Sequence, residues 1–272
     1  MTAIVSRRET FDFGGVFARA FGAVSRNGGA FLLLAVPLGG VPQLLLGFAR
    51  RALLQDAAAL AAAANPTAPA SITDVLGALG LVLAVLVLAV ASLLLSAVLQ
   101  AALIYGALED QDGQRRSAAE MLREGRRAGP ALLAIAFMFS LGFGIGFILL
   151  IFPALIVATR WIAAAPARVA EGPGISKAFS RSAALTKGYR WPVFGVILVF
   201  SVTAWVLAAV MLGSAAAIAP QSLDPDAATA SLPFLLVNPV LNVLVSILAA
   251  VVVAAIYGEL RRMKGGVETA LV

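Results

Sequence analysis

The chain has 272 residues, of which 61% are apolar and only 12% are charged, and its mean hydropathy is +0.97. A soluble domain is about 45–50% apolar and about 25% charged, so a soluble globular protein and a disordered one are both excluded. The absence of Cys and His excludes disulfides, thiolate or imidazole metal sites, haem ligation by His, and Ser-His or Cys-His catalysis. We therefore expect an all-α polytopic membrane protein, with one membrane domain over 1–272.

Residues 11–27 predict an amphipathic helix ahead of the first membrane span. At 100° per residue, Phe13, Phe17 and Phe21 share one face of this helix, and Arg19 and Arg26 share the other. Large rings opposite basic side chains are typical of a helix that lies in the plane of the membrane interface. We expect the rings to act as interface anchors in contact with acyl chains. The alternative is a helix docked on the cytoplasmic ends of the protein itself.

Six membrane spans are predicted from the long uncharged runs, because about 20 apolar residues in a helix cross the hydrocarbon core. The stretch 128–170 can form a helical hairpin with its turn near 150–153, and we interpret it as two spans. A single kinked span followed by an interfacial helix is the alternative. The predicted spans are about 28–48, 79–106, 129–149, 152–170, 191–217 and 234–258.

Basic residues predict the orientation of these spans. In the six-span arrangement, 18 of the 20 Lys and Arg residues lie on one side, and only Arg50 and Arg51 lie on the other. Cytoplasmic loops carry an excess of Lys and Arg, so we expect both termini in the cytoplasm. The sequence pI of about 10.5 arises from loops beside a bilayer, which indicates anionic lipid headgroups rather than nucleic acid as partners.

Two further amphipathic segments precede later spans, so that a weak threefold repeat of segment, outward span, loop and inward span runs through the chain. Residues 117–128 begin with a capping box of Ser117 and Glu120 and predict a solvated loop helix. Residues 174–188 predict a helix that Gly188 ends as a C-terminal cap. Chance similarity between membrane hairpins is the alternative explanation of the repeat.

The segment 160–191 has the most distinctive composition. Trp161 and Trp191 lie near the two places where the chain meets the bilayer, as interface anchors do. Arg160 falls at hydrocarbon depth if the fourth span begins near 152, where a charge costs at least about 2.5–3.5 kcal/mol. Arg160 must therefore reach the interface, face water or pair with an acid.

Glu171 is the acid of this segment, and two Arg side chains are within short reach of it. Arg168 precedes it by three residues, and Arg181 follows across a Gly-Pro-Gly turn. We expect one of them to hold Glu171 and to dock the helix that follows. The alternative is that these charges only stabilise the turn between the fourth span and that helix. The basic side chains expected to contact lipid headgroups or a partner protein are Arg19, Arg26, Arg160, Lys177, Arg181, Lys187 and Arg190.

The chain resembles the glycerophosphoryl diester phosphodiesterase membrane domain family. The resemblance is carried by Arg160-Trp161, Ala165-Pro166, Glu171-Gly172, Ala178-Phe179-x-Arg181-Ser182-x-x-Leu185-Thr186-Lys187-Gly188-x-Arg190-Trp191 and the N-terminal Phe13-x-x-Val16-x-x-Arg19-x-Phe21 followed by Arg26-Asn27. It implies a bacterial six-span membrane protein. In the proteins that gave the family its name, this region is fused to a soluble phosphodiesterase barrel that needs a catalytic His. Because this sequence has no His, that activity is not carried over.

These observations predict a non-enzymatic inner-membrane protein with a structural, accessory or membrane-organising role. No catalytic residue, metal or cofactor is expected. The expected partners are anionic membrane lipids and either further copies of the chain or a larger membrane complex. A lipid-handling protein or small-molecule transporter is the alternative, and Asn238 and Asn242 are its weak polar candidates within the spans.

Overall fold

A computed structural model describes residues 11–63, 71–149, 151–218 and 232–269, and within these ranges the chain is helical almost throughout and has no β-strand. The helices are α1 (Phe13–Ala35), α2 (Val41–Ala63), α3 (Ile72–Gln111), α4 (Ala118–Leu149), α5 (Ile151–Trp161), α6 (Ala164–Glu171), α7 (Ile175–Thr186), α8 (Arg190–Ile218) and α9 (Leu232–Thr269). Among these residues, five stretches are long and apolar enough to cross a membrane: Phe13–Gln55, Val75–Gln111, Ala118–Leu149, Arg190–Val210 and Phe234–Lys264.

The first of these stretches includes the predicted interfacial segment 11–27. Asp12 caps the start of α1, where its Oδ1 accepts the N–H of Gly15 at 2.8 Å. The helix then continues without a break to Ala35 and passes through a π-helical turn, Val36–Gly40, into α2. Pro42 has no N–H to donate one turn back, which fits a local change of helical pitch there. Residues 13–27 are thus the first part of a long helix rather than a separate one.

The predicted loop helix 117–128 is likewise the beginning of a longer helix, α4. Its capping box forms as predicted: the N–H of Ser117 donates to Glu120 Oε2 at 2.9 Å, and the N–H of Glu120 donates to Ser117 Oγ at 3.3 Å. Pro130 lies inside the helix without ending it. The helix therefore runs from the capping box to Leu149.

The chain reverses between α4 and α5, where the sequence predicts a hairpin turn. Glycines on α4 allow the two helices to approach closely. A Cβ on Gly146 would lie 2.8 Å from the backbone N of Ala154, and one on Gly142 would lie 2.5 Å from the Trp161 ring. Larger side chains at these two positions would push the helices apart.

The predicted fourth span, 152–170, does not form one helix. It consists of α5 and α6, which are separated by a break at Ile162–Ala163. Pro166 explains the break, because its ring collides with the carbonyl of the residue four positions earlier, Ile162, and it has no N–H to bond that carbonyl. The first turn of α6 accepts Pro166 because N–H groups there have no helical partner.

Small residues fill the centre of the bundle, where α1, α3 and α9 meet. Buried alanines are abundant there, and the largest fully buried side chains include Phe31, Leu103, Met121 and Tyr257. Large apolar side chains are instead exposed on the outer surfaces of α2, α3, α4, α8 and α9. A surface of this extent and apolarity is one that a bilayer covers.

Candidate functional site at the charged end of the bundle

One end of the bundle holds nearly all of its ion pairs, and we call it the charged end. It is formed by the start of α1, the end of α3, the start of α4, helices α6 and α7, and the end of α9. The pairs found there at 3.0 Å or less are Arg19–Glu259, Arg26–Asp110, Arg116–Glu109, Arg181–Glu171 and Arg262–Glu259. Three of the basic residues predicted to contact lipid therefore hold carboxylates of this chain.

Glu259 is the most deeply buried acid of this end, with no exposed side-chain surface. Its Oε2 lies 2.5 Å from Arg19 Nη2 and 2.9 Å from Arg262 Nη2. The backbone N–H of Asp12 donates to its Oε1 at 3.3 Å. Since burial removes hydration from a carboxylate, the contacts from Arg19 and Asp12 make the start of α1 and the end of α9 depend on each other, and Arg262 supports Glu259 from within α9.

Asp110 ties α1 to the end of α3 and is only 3% exposed in its side chain. Arg26 binds it with two parallel hydrogen bonds, from Nη2 to Oδ2 at 2.5 Å and from Nε to Oδ1 at 3.0 Å. Asn27 donates to the same Oδ1 at 2.7 Å. A planar bidentate pair of this kind orients both helices more strictly than a single contact does.

Glu171 meets Arg181, one of its two predicted partners, and also a residue that the sequence analysis missed. Arg181 Nε lies 3.0 Å from Glu171 Oε1 and 3.1 Å from Oε2. The hydroxyl of Tyr257 on α9 donates to Oε1 at 2.7 Å. Arg168 makes no ion pair with Glu171 in the structure. The acid at the end of α6 therefore joins α7 to the last helix.

The break between α5 and α6 is closed by a fully buried serine of α7. The hydroxyl of Ser182 donates to the carbonyl oxygen of Arg160 at 2.8 Å and accepts the N–H of Ala163 at 3.1 Å. Both backbone groups lose helical partners at the break, and burial without a partner would cost about 1–3 kcal/mol each. Ser182 thus allows the interrupted segment to be buried, while the side chain of Arg160 stays at the surface.

Beside these ion pairs lies an open polar cleft of about 650 Å³ between α1, α3, α6 and α9. Both signs of charge line it, including Arg19, Glu109, Asp112, Glu259 and Arg261. The charges of Arg19 and Glu259 are already paired with each other. Next to the cleft, the hydrogen bond from Arg116 to Glu109 raises the pKa of the Arg116 guanidinium. Mutual neutralisation leaves this cleft without a strong preference for either charge.

Four of the predicted basic residues keep their charge free: Arg160, which is exposed at the end of α5 and makes no ion pair with a described carboxylate, and three residues around α7 and the start of α8. Lys177, Lys187 and Arg190 are exposed and make no ion pair with a described carboxylate. Trp191 follows with 82% of its surface exposed, as expected for an interface anchor. Cations beside an exposed Trp are typical of a surface at headgroup level.

The aromatic residues predicted as interface anchors divide into two groups. Phe13 and Phe21 are 44% and 61% exposed, so they remain available to acyl chains. Phe17 instead packs against the buried core. The ring of Trp161 lies 4.8 Å from that of Phe179, between α4 and α7. Phe17 and Trp161 therefore pack between helices of this protein, unlike the exposed Phe13 and Phe21.

Three buried polar residues escaped the sequence analysis: Asp110, Tyr257 and Glu259. Asp110 and Glu259 each lie at the end of a long apolar run, where a single acid looks like a loop charge. The sequence does show acids at the ends of apolar runs and Arg residues before the first span. Because charges at the end of a span need compensation, this combination could have suggested that they pair. Asn238 and Asn242, the weak polar candidates for a transport pathway, are exposed on the outer surface of α9.

Among the residues that the structure describes, no three Asp or Glu side chains come together in a way that could hold a metal ion. The resemblance to the glycerophosphoryl diester phosphodiesterase membrane domain family stays a prediction. The chain matches no family model, no curated protein and no solved structure.

Proposed function

We propose that this chain is a non-enzymatic multi-pass protein of the bacterial inner membrane with an accessory or membrane-organising role. It contacts anionic lipid headgroups through the unpaired cations around α7 and the start of α8. The observation that carries this proposal is that Lys177, Lys187 and Arg190 are exposed and have no carboxylate partners in the described chain, and that the exposed Trp191 directly follows Arg190. Each such cation near an anionic surface contributes about 1 kcal/mol to lipid contact.

Six crossings with both termini in the cytoplasm are part of the proposal. The chain returns to the charged end three times: Arg26 of α1 meets Asp110 of α3, and Lys264 at the end of α9 lies 5.9 Å from the Tyr189 ring that precedes α8. The middle hairpin, α4 to α6, also begins and ends there. We assign the sixth crossing to α5 and α6 together, with the break closed by Ser182. Basic residues concentrated at one end support its cytoplasmic orientation.

Native mass spectrometry of the full chain with phosphatidylglycerol and phosphatidylcholine of equal acyl chains tests the headgroup contact. We expect Lys177→Gln/Lys187→Gln to lower the number of bound phosphatidylglycerol molecules and to leave phosphatidylcholine binding unchanged. The matched control is Arg115→Gln/Arg123→Gln, which removes the same charge from exposed positions away from α7. Equal losses in the two double variants would contradict a role for this surface.

A further inference from the structure

We infer that one anionic diacyl phospholipid binds between α3 and α4, with its phosphate at Arg126 and its two acyl chains in adjacent apolar clefts. The inference deepens the proposed function by naming a lipid site, and it rests on that function. It uses residues that are separate from Lys177, Lys187 and Arg190. The site can therefore fail its test while the headgroup contact at α7 stands.

The first cleft has a volume of about 220 Å³ and is lined by Leu94, Ala97, Val98, Gly129, Pro130 and Leu133, with Arg126 at its rim. It lies beside the closest contact of the two helices. A Cβ on Gly129 would lie 2.9 Å from Val98 Cγ2, so only glycine fits there. The result is an apolar groove with one cation at its rim.

Arg126 supplies two groups that a phospholipid headgroup can use. Its side chain is exposed and makes no ion pair with a described carboxylate, so its charge is free for a phosphate. Its backbone carbonyl faces the ring nitrogen of Pro130 one turn later, and that nitrogen has no hydrogen to donate. A carbonyl deprived of its helical donor can accept a hydrogen bond from a headgroup hydroxyl, which phosphatidylglycerol has.

The position of the groove along the bundle fits the boundary between headgroups and acyl chains. Leu94 is the last large apolar side chain exposed on α3 in the direction of the charged end, and Phe137 is the first exposed on α4 beyond it. Arg126 lies on the charged side of this boundary, and the groove extends to the apolar side. A lipid bound here keeps its phosphate at headgroup level while its chain follows the helices into the bilayer.

A second apolar cleft gives room for the second acyl chain. It has a volume of about 280 Å³, and it shares Ala97 and Leu133 with the first cleft. Its other walls come from α5, α6 and α9, and they include Trp161 and the small side chain of Ala250. Two apolar clefts that share Ala97 and Leu133 match a molecule with two chains on one headgroup.

The headgroup arm of the test compares Arg126→Gln with Arg123→Gln by native mass spectrometry of the full chain. Both positions are exposed, but only Arg126 lines the groove. We expect Arg126→Gln to weaken phosphatidylglycerol binding about fivefold, as befits one cation near an anionic group, and Arg123→Gln to have no comparable effect. Equal phosphatidylglycerol occupancy in the two variants would overturn the inference.

The acyl-chain arm uses Trp161 as a reporter in the variant Trp191→Phe/Trp205→Phe, which removes the other two tryptophans. Phosphatidylglycerol with brominated acyl chains should quench Trp161 fluorescence. Ala97→Leu, which narrows both clefts, should reduce that quenching at least twofold, and Arg126→Gln should shift it to higher lipid concentration. Quenching that neither substitution changes would show non-specific bilayer contact and refute the site.

Discussion

Arg19 Nη2 and Glu259 Oε2 lie 2.5 Å apart, although 240 positions separate these residues in the chain. The pair joins the first helix to the last at the charged end of the bundle. Because the side chain of Glu259 has no exposed surface, hydrogen bonds and charges of the protein replace the water it has lost. The start of α1 is thereby fixed from the far end of the sequence.

Replacing Glu259 by Gln should lower the free energy of unfolding by about 1–3 kcal/mol, because the buried side chain loses its charge-assisted hydrogen bonds while Arg19 keeps some contact with water. Thermal unfolding in detergent measures the loss. The matched control is Arg262→Gln, whose side chain is 61% exposed, so its pair should contribute less than about 1 kcal/mol. Similar losses in the two variants would contradict a special role for the Arg19 contact.

The Arg26–Asp110 pair is suited to a double-mutant cycle. Arg26→Gln and Asp110→Asn should each destabilise the bundle, and the double variant should lose less than the sum because both charges are gone. We expect a clearly positive coupling energy, because two parallel charge-assisted hydrogen bonds join Arg26 to the buried Asp110. Additive losses, measured by thermal unfolding, would mean that the two side chains act independently.

Glu171→Gln should loosen α7, because it weakens the contacts to both Arg181 and Tyr257. Limited proteolysis within 172–190 should become faster than in the unmodified protein. Tyr257→Phe, which removes one hydrogen bond, should have a smaller effect in the same direction. Arg168→Gln serves as the control, since Arg168 makes no ion pair with Glu171. Unchanged proteolysis in Glu171→Gln would rule out this attachment.

Phe17→Asp and Phe21→Asp should differ in their effects. Phe17 packs against the core, so an acid there buries an unpaired charge and lowers the temperature of unfolding. Phe21 is 61% exposed, so an acid there should leave that temperature nearly unchanged in detergent but weaken the contact of the N-terminal segment with lipid vesicles. A larger fall in the unfolding temperature for Phe21→Asp than for Phe17→Asp would contradict this assignment of the two rings.

Single-cysteine labelling tests the proposed topology, and the natural absence of Cys makes it direct. Ser180→Cys and Arg115→Cys lie at the charged end, and Gln55→Cys lies near the end of the first apolar stretch. A membrane-impermeant maleimide applied to spheroplasts should label position 55 only, and positions 115 and 180 should react after lysis. Labelling of position 180 in intact spheroplasts would refute the six crossings.

Several local features could be predicted because adjacent residues determine them. The capping box of Ser117 and Glu120 forms with neighbouring backbone groups, and Gly188 adopts a positive φ of 94° just beyond Lys187, the C-cap of α7. The reversal after α4 follows from hydrophobic length, because a run of more than 40 residues exceeds one crossing. Hydropathy and charge are also local properties of the chain, so they indicate the apolar stretches and the basic segments without knowledge of tertiary contacts.

The tertiary structure decided what each charge does. Periodicity placed Arg19 and Arg26 on a polar face, but their acids, Glu259 and Asp110, lie 240 and 84 positions away. The tertiary structure also shows that residues 13–27 belong to a longer helix, α1. Asn27 is buried against Asp110 and holds α1 in the bundle. Local sequence specifies which segments become helical and apolar. Partners for buried charges depend on how those helices pack, because an ion pair forms only where distant segments exclude water together.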